Sequence, residues 1–65
     1  MVILYSTHCP KCIVLEKKLN SKNINYEMIT DENLMIEKGF MSAPILEVDD
    51  KTLDFKAAID WVGEQ

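Results

Sequence analysis

The chain reads as an α/β domain of order βαβαββα, and three observations predict it. An aliphatic run, Val2-Ile3-Leu4-Tyr5, is followed by apolar residues spaced three and four apart. A second stretch alternates apolar and polar residues through Tyr26 and Met28. A third run, Pro44-Ile45-Leu46-Glu47-Val48, is separated by only two residues from Lys51-Thr52-Leu53, which is hairpin spacing. Strands alternating with helices in this way predict a four-stranded mixed sheet flanked by three helices. Its first two strands are parallel and joined by a right-handed crossover.

Val2-Ile3-Leu4-Tyr5, bounded by Ser6 and Thr7, is a short buried strand. Pro10 suits the first turn of a helix, where its missing N–H has no intrahelical partner. Cys12, Leu15 and Leu19 form one apolar stripe of that helix, which runs to about Ser21. Lys17, Lys18 and Lys22 favour its C-terminal dipole, and Asn23 and Asn25 mark the exit. Asn25 to Ile29 predicts a second strand, with Ile24, Tyr26 and Met28 alternating against Asn25 and Glu27. Thr30, Asp31 and Glu32 supply a cap and first-turn negative charge for a short helix ending at Lys38, with Gly39 just past its end. The hairpin follows, turning at Asp49-Asp50. Asp54 then caps a last helix whose Phe55, Ile59 and Val62 share a face.

No repeat, low-complexity tract or linker interrupts residues 1–65, so a single domain is expected. A domain this small buries only about 60% of the surface its unfolded chain exposes, yet 48% of its residues are hydrophobic, enough for one core. Seven lysines against eleven Asp and Glu give a net charge of -4. That balance argues against nucleic-acid binding, which needs a basic surface, and against docking on an anionic membrane. Met1 to Tyr5 is too short and uncharged for a signal peptide, and no apolar run approaches a membrane span. A cytoplasmic location is therefore expected. Structural disulfides are rare there, so Cys9 and Cys12 point first to catalysis or metal binding.

The stretch Ser6-Thr7-His8-Cys9-Pro10-Lys11-Cys12 carries the chemistry. Cys9 falls at the strand-to-helix junction and Cys12 in the first helical turn. Thiolate is the reactive form of cysteine, and a helix N-terminus favours it through unpaired N–H groups and the dipole. Cys9, at the mouth, is expected to be accessible. Cys12, on the stripe of Leu15 and Leu19, is expected to be shielded and to keep its proton longer. An exposed attacker beside a sheltered resolver is what thiol–disulfide exchange requires. Pro10 stiffens the turn and Lys11 adds a nearby positive charge. Cys-x-x-Cys in a βαβ context is itself a redox signal. Other readings stay open. Two cysteines and one histidine fall short of a structural zinc site, but two thiolates suffice for a soft monovalent metal, so a metal-carrier role using the same pair is the alternative. His8 reads as a loop residue that tunes Cys9 only if its ring faces the sulfur. Lys11 reads more simply as a solvated charge, Trp61 as packing, and Met28, Met35 and Met41 as gap-filling core residues.

With Val2 to Thr7 leading into Cys9-Pro10-Lys11-Cys12, and Ser42-Ala43-Pro44 opening the third strand, the chain resembles the glutaredoxin-like members of the thioredoxin superfamily. In size it is close to the small redoxins that serve ribonucleotide reductase. The resemblance implies a thioredoxin-like fold and a monomeric dithiol–disulfide oxidoreductase with no bound cofactor, cycling a Cys9–Cys12 disulfide. Pro44 is then the cis-proline beside the active cysteines, and Ala43 pairs with the backbone of the substrate. The implied partners are a protein disulfide, ribonucleotide reductase among the possibilities, and a reductant. Glutathione-using relatives usually carry a lysine where this chain has Ser6-Thr7, and a Gly-Gly where it has Leu53-Asp54-Phe55. Asp54 therefore sets a carboxylate where one of glutathione's carboxylates would dock. A flavoprotein of the thioredoxin-reductase type is the expected donor ahead of glutathione.

Overall fold

The computed structural model describes residues 1–65. The elements are β1 (Val2–Tyr5), α1 (Pro10–Ser21), β2 (Glu27–Ile29), α2 (Glu32–Glu37), β3 (Ile45–Val48), β4 (Lys51–Leu53) and α3 (Phe55–Gly63). The sheet runs in the order β2-β1-β3-β4. β1 pairs with β2 in parallel, Ile3 opposite Glu27 and Tyr5 opposite Ile29. It pairs antiparallel with β3, Leu4 opposite Leu46, and β3 pairs antiparallel with β4, Leu46 opposite Leu53. The fold is thus α/β, a four-stranded mixed sheet with three helices.

Because side chains alternate across a strand, each strand feeds both faces. Leu4 and Leu46 meet Leu15 and Leu19 of α1 and Ala58 and Val62 of α3, all fully or almost fully buried, and Trp61 packs against this cluster. Tyr5 and Ile45 point the other way, onto Met35 of α2, with Phe40 set edge-on to Tyr5 at 4.9 Å between ring centroids. The result is three layers, with α1 and α3 on one face and α2 on the other. Each fully buried leucine is worth about 1.5–3 kcal/mol of transfer free energy.

Capping fixes the helix ends. Asp31 accepts the N–H groups of Asn33 and Leu34, and Asp54 accepts that of Ala57 at 2.8 Å. At the end of α2, Gly39 adopts φ 79° while its N–H reaches Ile36 and that of Phe40 reaches Met35. This pairing closes a helix through a left-handed residue, for which glycine has no steric penalty. Asn23, φ 56°, ends α1 the same way, and the Ile24 N–H returns to Leu19. That wrap explains why the second strand starts at Glu27 rather than at the expected Asn25: the chain is still held against the end of α1. The third strand starts at Ile45, one residue after the expected Pro44, which has no N–H to give to a ladder. No helix is long and apolar enough to cross a membrane.

Candidate functional site

The site is built by the four residues between β1 and the first turn of α1. The Ser6 N–H continues the β1–β2 pairing by donating to the Ile29 carbonyl at 3.0 Å. The chain then turns sharply, with His8 at φ 61° and its N–H donating to Ser6 Oγ at 3.1 Å. The turn delivers Cys9 in an extended conformation to the N-cap of α1, with Pro10 following at the start of the helix. Serine, threonine or aspartate usually occupies such a cap. Here a sulfur does the same work: Cys9 Sγ accepts the Cys12 N–H at 3.2 Å.

Both cysteines are free thiols; Cys9 is partly exposed and Cys12 is sealed at 0% exposure. The shielding of Cys12 follows from its place on the stripe with Leu15 and Leu19. The expectation that it therefore holds its proton is corrected. Burial does raise the Cys12 pKa, but hydrogen bonds from the Cys9 and Ser6 side chains and from the backbone at Thr7 and Cys9 outweigh it and bring it from 9.0 to about 7. Access still distinguishes the two thiols, because only Cys9 can be reached from solvent.

Opposite the helix mouth lies the loop before β3. Cys9 Sγ donates to the Ala43 carbonyl at 3.9 Å, and the Ala43–Pro44 peptide bond is cis. The Ala43 N–H has no partner within the chain. Two shallow grooves open on either side of Ala43. One, of about 270 Å³, is lined by Thr7, Met35, Ile36, Phe40 and Met41 among others, with Glu32 its single charged residue. The other, of about 290 Å³, holds Lys11, Lys56, Asp54 and Phe55 beside Ser42 and Pro44.

Of the residues singled out in the sequence, Cys9, Cys12, Pro10, Ala43 and Pro44 converge at this point. The backbone of His8 forms the turn, but no hydrogen bond joins it to Cys9. The Lys11 ammonium lies 5.6 Å from the centroid of the Phe55 ring, and the residue is exposed, as expected for a solvated charge. Met41, expected in the core, is 99% exposed, whereas Met35 is buried as expected. In the loop from Phe40 to Ser42, outside any helix or strand, Phe40 is the side chain that turns inward, onto Tyr5, and Met41 beside it faces out. Two contributors were invisible to pattern reading: Lys56 in the second groove, and the exposed pair Ile36 and Met41. Lys56 and Met41 come from elements distant in sequence and reach the site only through tertiary packing. No group of three or more His, Cys, Asp or Glu side chains converges to hold a metal.

No family model, no curated protein and no solved structure matches the chain.

Proposed function

We propose that the protein is a small dithiol–disulfide oxidoreductase of thioredoxin-like fold, related to the glutaredoxin-like redoxins, that reduces disulfides in other proteins. One observation carries this reading: two free thiols share one helical turn, one reachable at the N-cap and one sealed directly behind it. In the forward reaction the Cys9 thiolate attacks one sulfur of the substrate disulfide. A Cys9–substrate mixed disulfide forms and the other substrate sulfur leaves as a thiolate. The Cys12 thiolate then attacks Cys9 Sγ, closing the Cys9–Cys12 disulfide and expelling the second substrate thiolate. The protein has given up two electrons and its two thiol protons, and the substrate has gained them. In the reduced protein, hydrogen bonds outweigh burial and bring the Cys12 pKa down to about 7, and the resolving attack uses the Cys12 thiolate.

A protein substrate is favoured by the surroundings of Cys9. The free Ala43 N–H offers an extended chain a backbone partner, and the groove with exposed Ile36 and Met41 offers apolar side chains a contact. Ribonucleotide reductase is a client the resemblance suggests. The chain acts in this reading as a cytoplasmic monomer. Cys12→Ser removes the resolving thiol, so it is expected to hold a disulfide-containing client as a covalent complex on Cys9, seen on a non-reducing gel. Absence of any such complex, with tight one-to-one retention of a soft metal after dialysis against a mild chelator, would favour the metal-carrier alternative.

For the donor, a thioredoxin-reductase-type flavoprotein is preferred to glutathione. The second groove sets the Asp54 carboxylate against any incoming carboxylate, and like charges brought close repel more strongly as water leaves. Lys56 offsets part of this, and Lys11 is held toward Phe55. Asp54→Ser keeps a capping oxygen while removing the charge. It is expected to improve turnover with glutathione and leave turnover with the flavoprotein unchanged; equal rates with both donors in the unaltered protein would contradict the preference.

A further inference from the structure

Ile36 and Met41 are exposed at 72% and 99%, yet they line one groove together with Met35 and Phe40, which belong to the core beneath α2. Large apolar side chains exposed singly need no explanation, but two that share a groove do. The groove reaches Ala43, whose carbonyl accepts the Cys9 thiol and whose N–H has no partner within the chain. Its volume of about 270 Å³ falls below the roughly 300–1,000 Å³ of pockets that enclose small molecules, so it suits the side chains of an extended segment.

One charge stands in this groove, the carboxylate of Glu32. The single ion pair of the molecule joins the N-terminal amine to Asp49, so Glu32 is unpaired. The neighbouring Asp31 is occupied in capping α2 through the N–H groups of Asn33 and Leu34. Lys38, past the other end of that helix, lies 5.7 Å from the centroid of the Tyr5 ring and does not line the groove. The groove on the far side of Ala43 carries both signs of charge, Lys11 and Lys56 with Asp54, and makes no comparable demand.

We propose that this groove selects clients by sequence: Ile36 and Met41 receive an apolar side chain beside the client cysteine, and Glu32 pairs with a lysine or arginine next to it. The inference rests on the exchange reading above and names the substrate class of that site, a disulfide-bearing segment that is apolar and basic on one side of its cysteine. The net charge of -4 acts in the same direction, since an acidic protein attracts a basic segment before contact. Glu32 also favours the N-terminal dipole of α2. A role confined to the helix would change stability and leave the choice among clients as it is.

The test mixes reduced protein with the symmetric disulfides of three short peptides, quenches by alkylation and separates the products by chromatography. Each peptide carries the same two residues on both sides of its cysteine: leucine then lysine, leucine then glutamate, or serine then lysine. In every case the protein dithiol becomes the Cys9–Cys12 disulfide and two peptide thiols are released. Rates are taken relative to dithiothreitol acting on the same peptide, which removes intrinsic reactivity. The leucine–lysine peptide is expected to react about two- to fivefold faster than the leucine–glutamate peptide, as for an exposed ion pair. It is expected to react about tenfold faster than the serine–lysine peptide, as for one partly buried apolar side chain. Glu32→Gln is expected to remove most of the first preference and Glu32→Lys to remove or reverse it. Ile36→Ser combined with Met41→Ser is expected to lose the second. If the unaltered protein reduces none of the peptides, the exchange reading itself fails. If it reduces all three at one relative rate, or the preference for lysine survives undiminished in both Glu32 variants, only selection by this groove fails. If Glu32→Lys changes reduction of the protein by the flavoprotein donor and not its preference among peptides, the groove serves the donor and the proposal is overturned.

Discussion

Cys12 lies where thiols ordinarily stay protonated, yet its hydrogen bonds outweigh burial and lower it to about 7. The shift makes the stability of the reduced protein depend on pH. A group whose pKa falls on folding stabilises the fold above its unfolded value and loses that contribution as pH falls through its folded value. Between about pH 7 and 9 the unfolded chain binds a proton at Cys12 that the folded chain does not. Reduced protein is therefore expected to gain stability over this range, by up to about 1.4 kcal/mol per pH unit. The disulfide form has no such proton and is expected to show no such slope, and Cys12→Ala lacks it as well. Urea unfolding midpoints at pH 7 and 9 for the three proteins check this; a slope that survives in Cys12→Ala would assign it elsewhere.

At the scale of elements, the two glycines separate backbone from packing effects. Gly39 closes α2 at φ 79°, and a methyl group added there would meet nothing within 4 Å. The loss in Gly39→Ala is then purely conformational, about 1 kcal/mol. Gly63 ends α3 with no positive φ and equally open space. Gly63→Ala is expected to stabilise slightly, since alanine restricts the unfolded chain and favours helix. Thermal melts of the two variants are expected to move in opposite directions, and a fall in both would refute the account of Gly63. The same elements mark how far the sequence could be read. The stripe of Cys12, Leu15 and Leu19, the aliphatic run of β1 and the Asp31 and Asp54 caps were legible because each is a local pattern with one physical meaning. The strand order was not, because nothing local decides that β3 rather than β2 also borders β1 on its far side. The cysteine pair announced the site, and Ala43 and Pro44 entered through the resemblance. The proton balance at Cys12 did not follow from the pattern, since apolar spacing reports burial but not the donors aimed at a sulfur.

For the whole molecule, the arrangement that stabilises the fold also divides the labour between the thiols. Leu4, Leu15, Leu19 and Leu46 seal the layer beneath α1, and Cys12 continues that buried stripe up to the helix mouth. The loop entering β3 brings Ala43 against Cys9, so the reachable sulfur lies between two grooves and next to an unpaired backbone N–H. A chain of 65 residues has room for one such centre and little else. Its work in this account is to carry electron pairs between a donor and a protein disulfide. The direct measurement is turnover: precipitation of insulin as its interchain disulfides are reduced, with dithiothreitol as donor and the protein at substoichiometric concentration. The account predicts reduction many times faster than with dithiothreitol alone and complete loss of that excess in Cys9→Ser. A rate equal to the donor alone, or undiminished activity in Cys9→Ser, would contradict it.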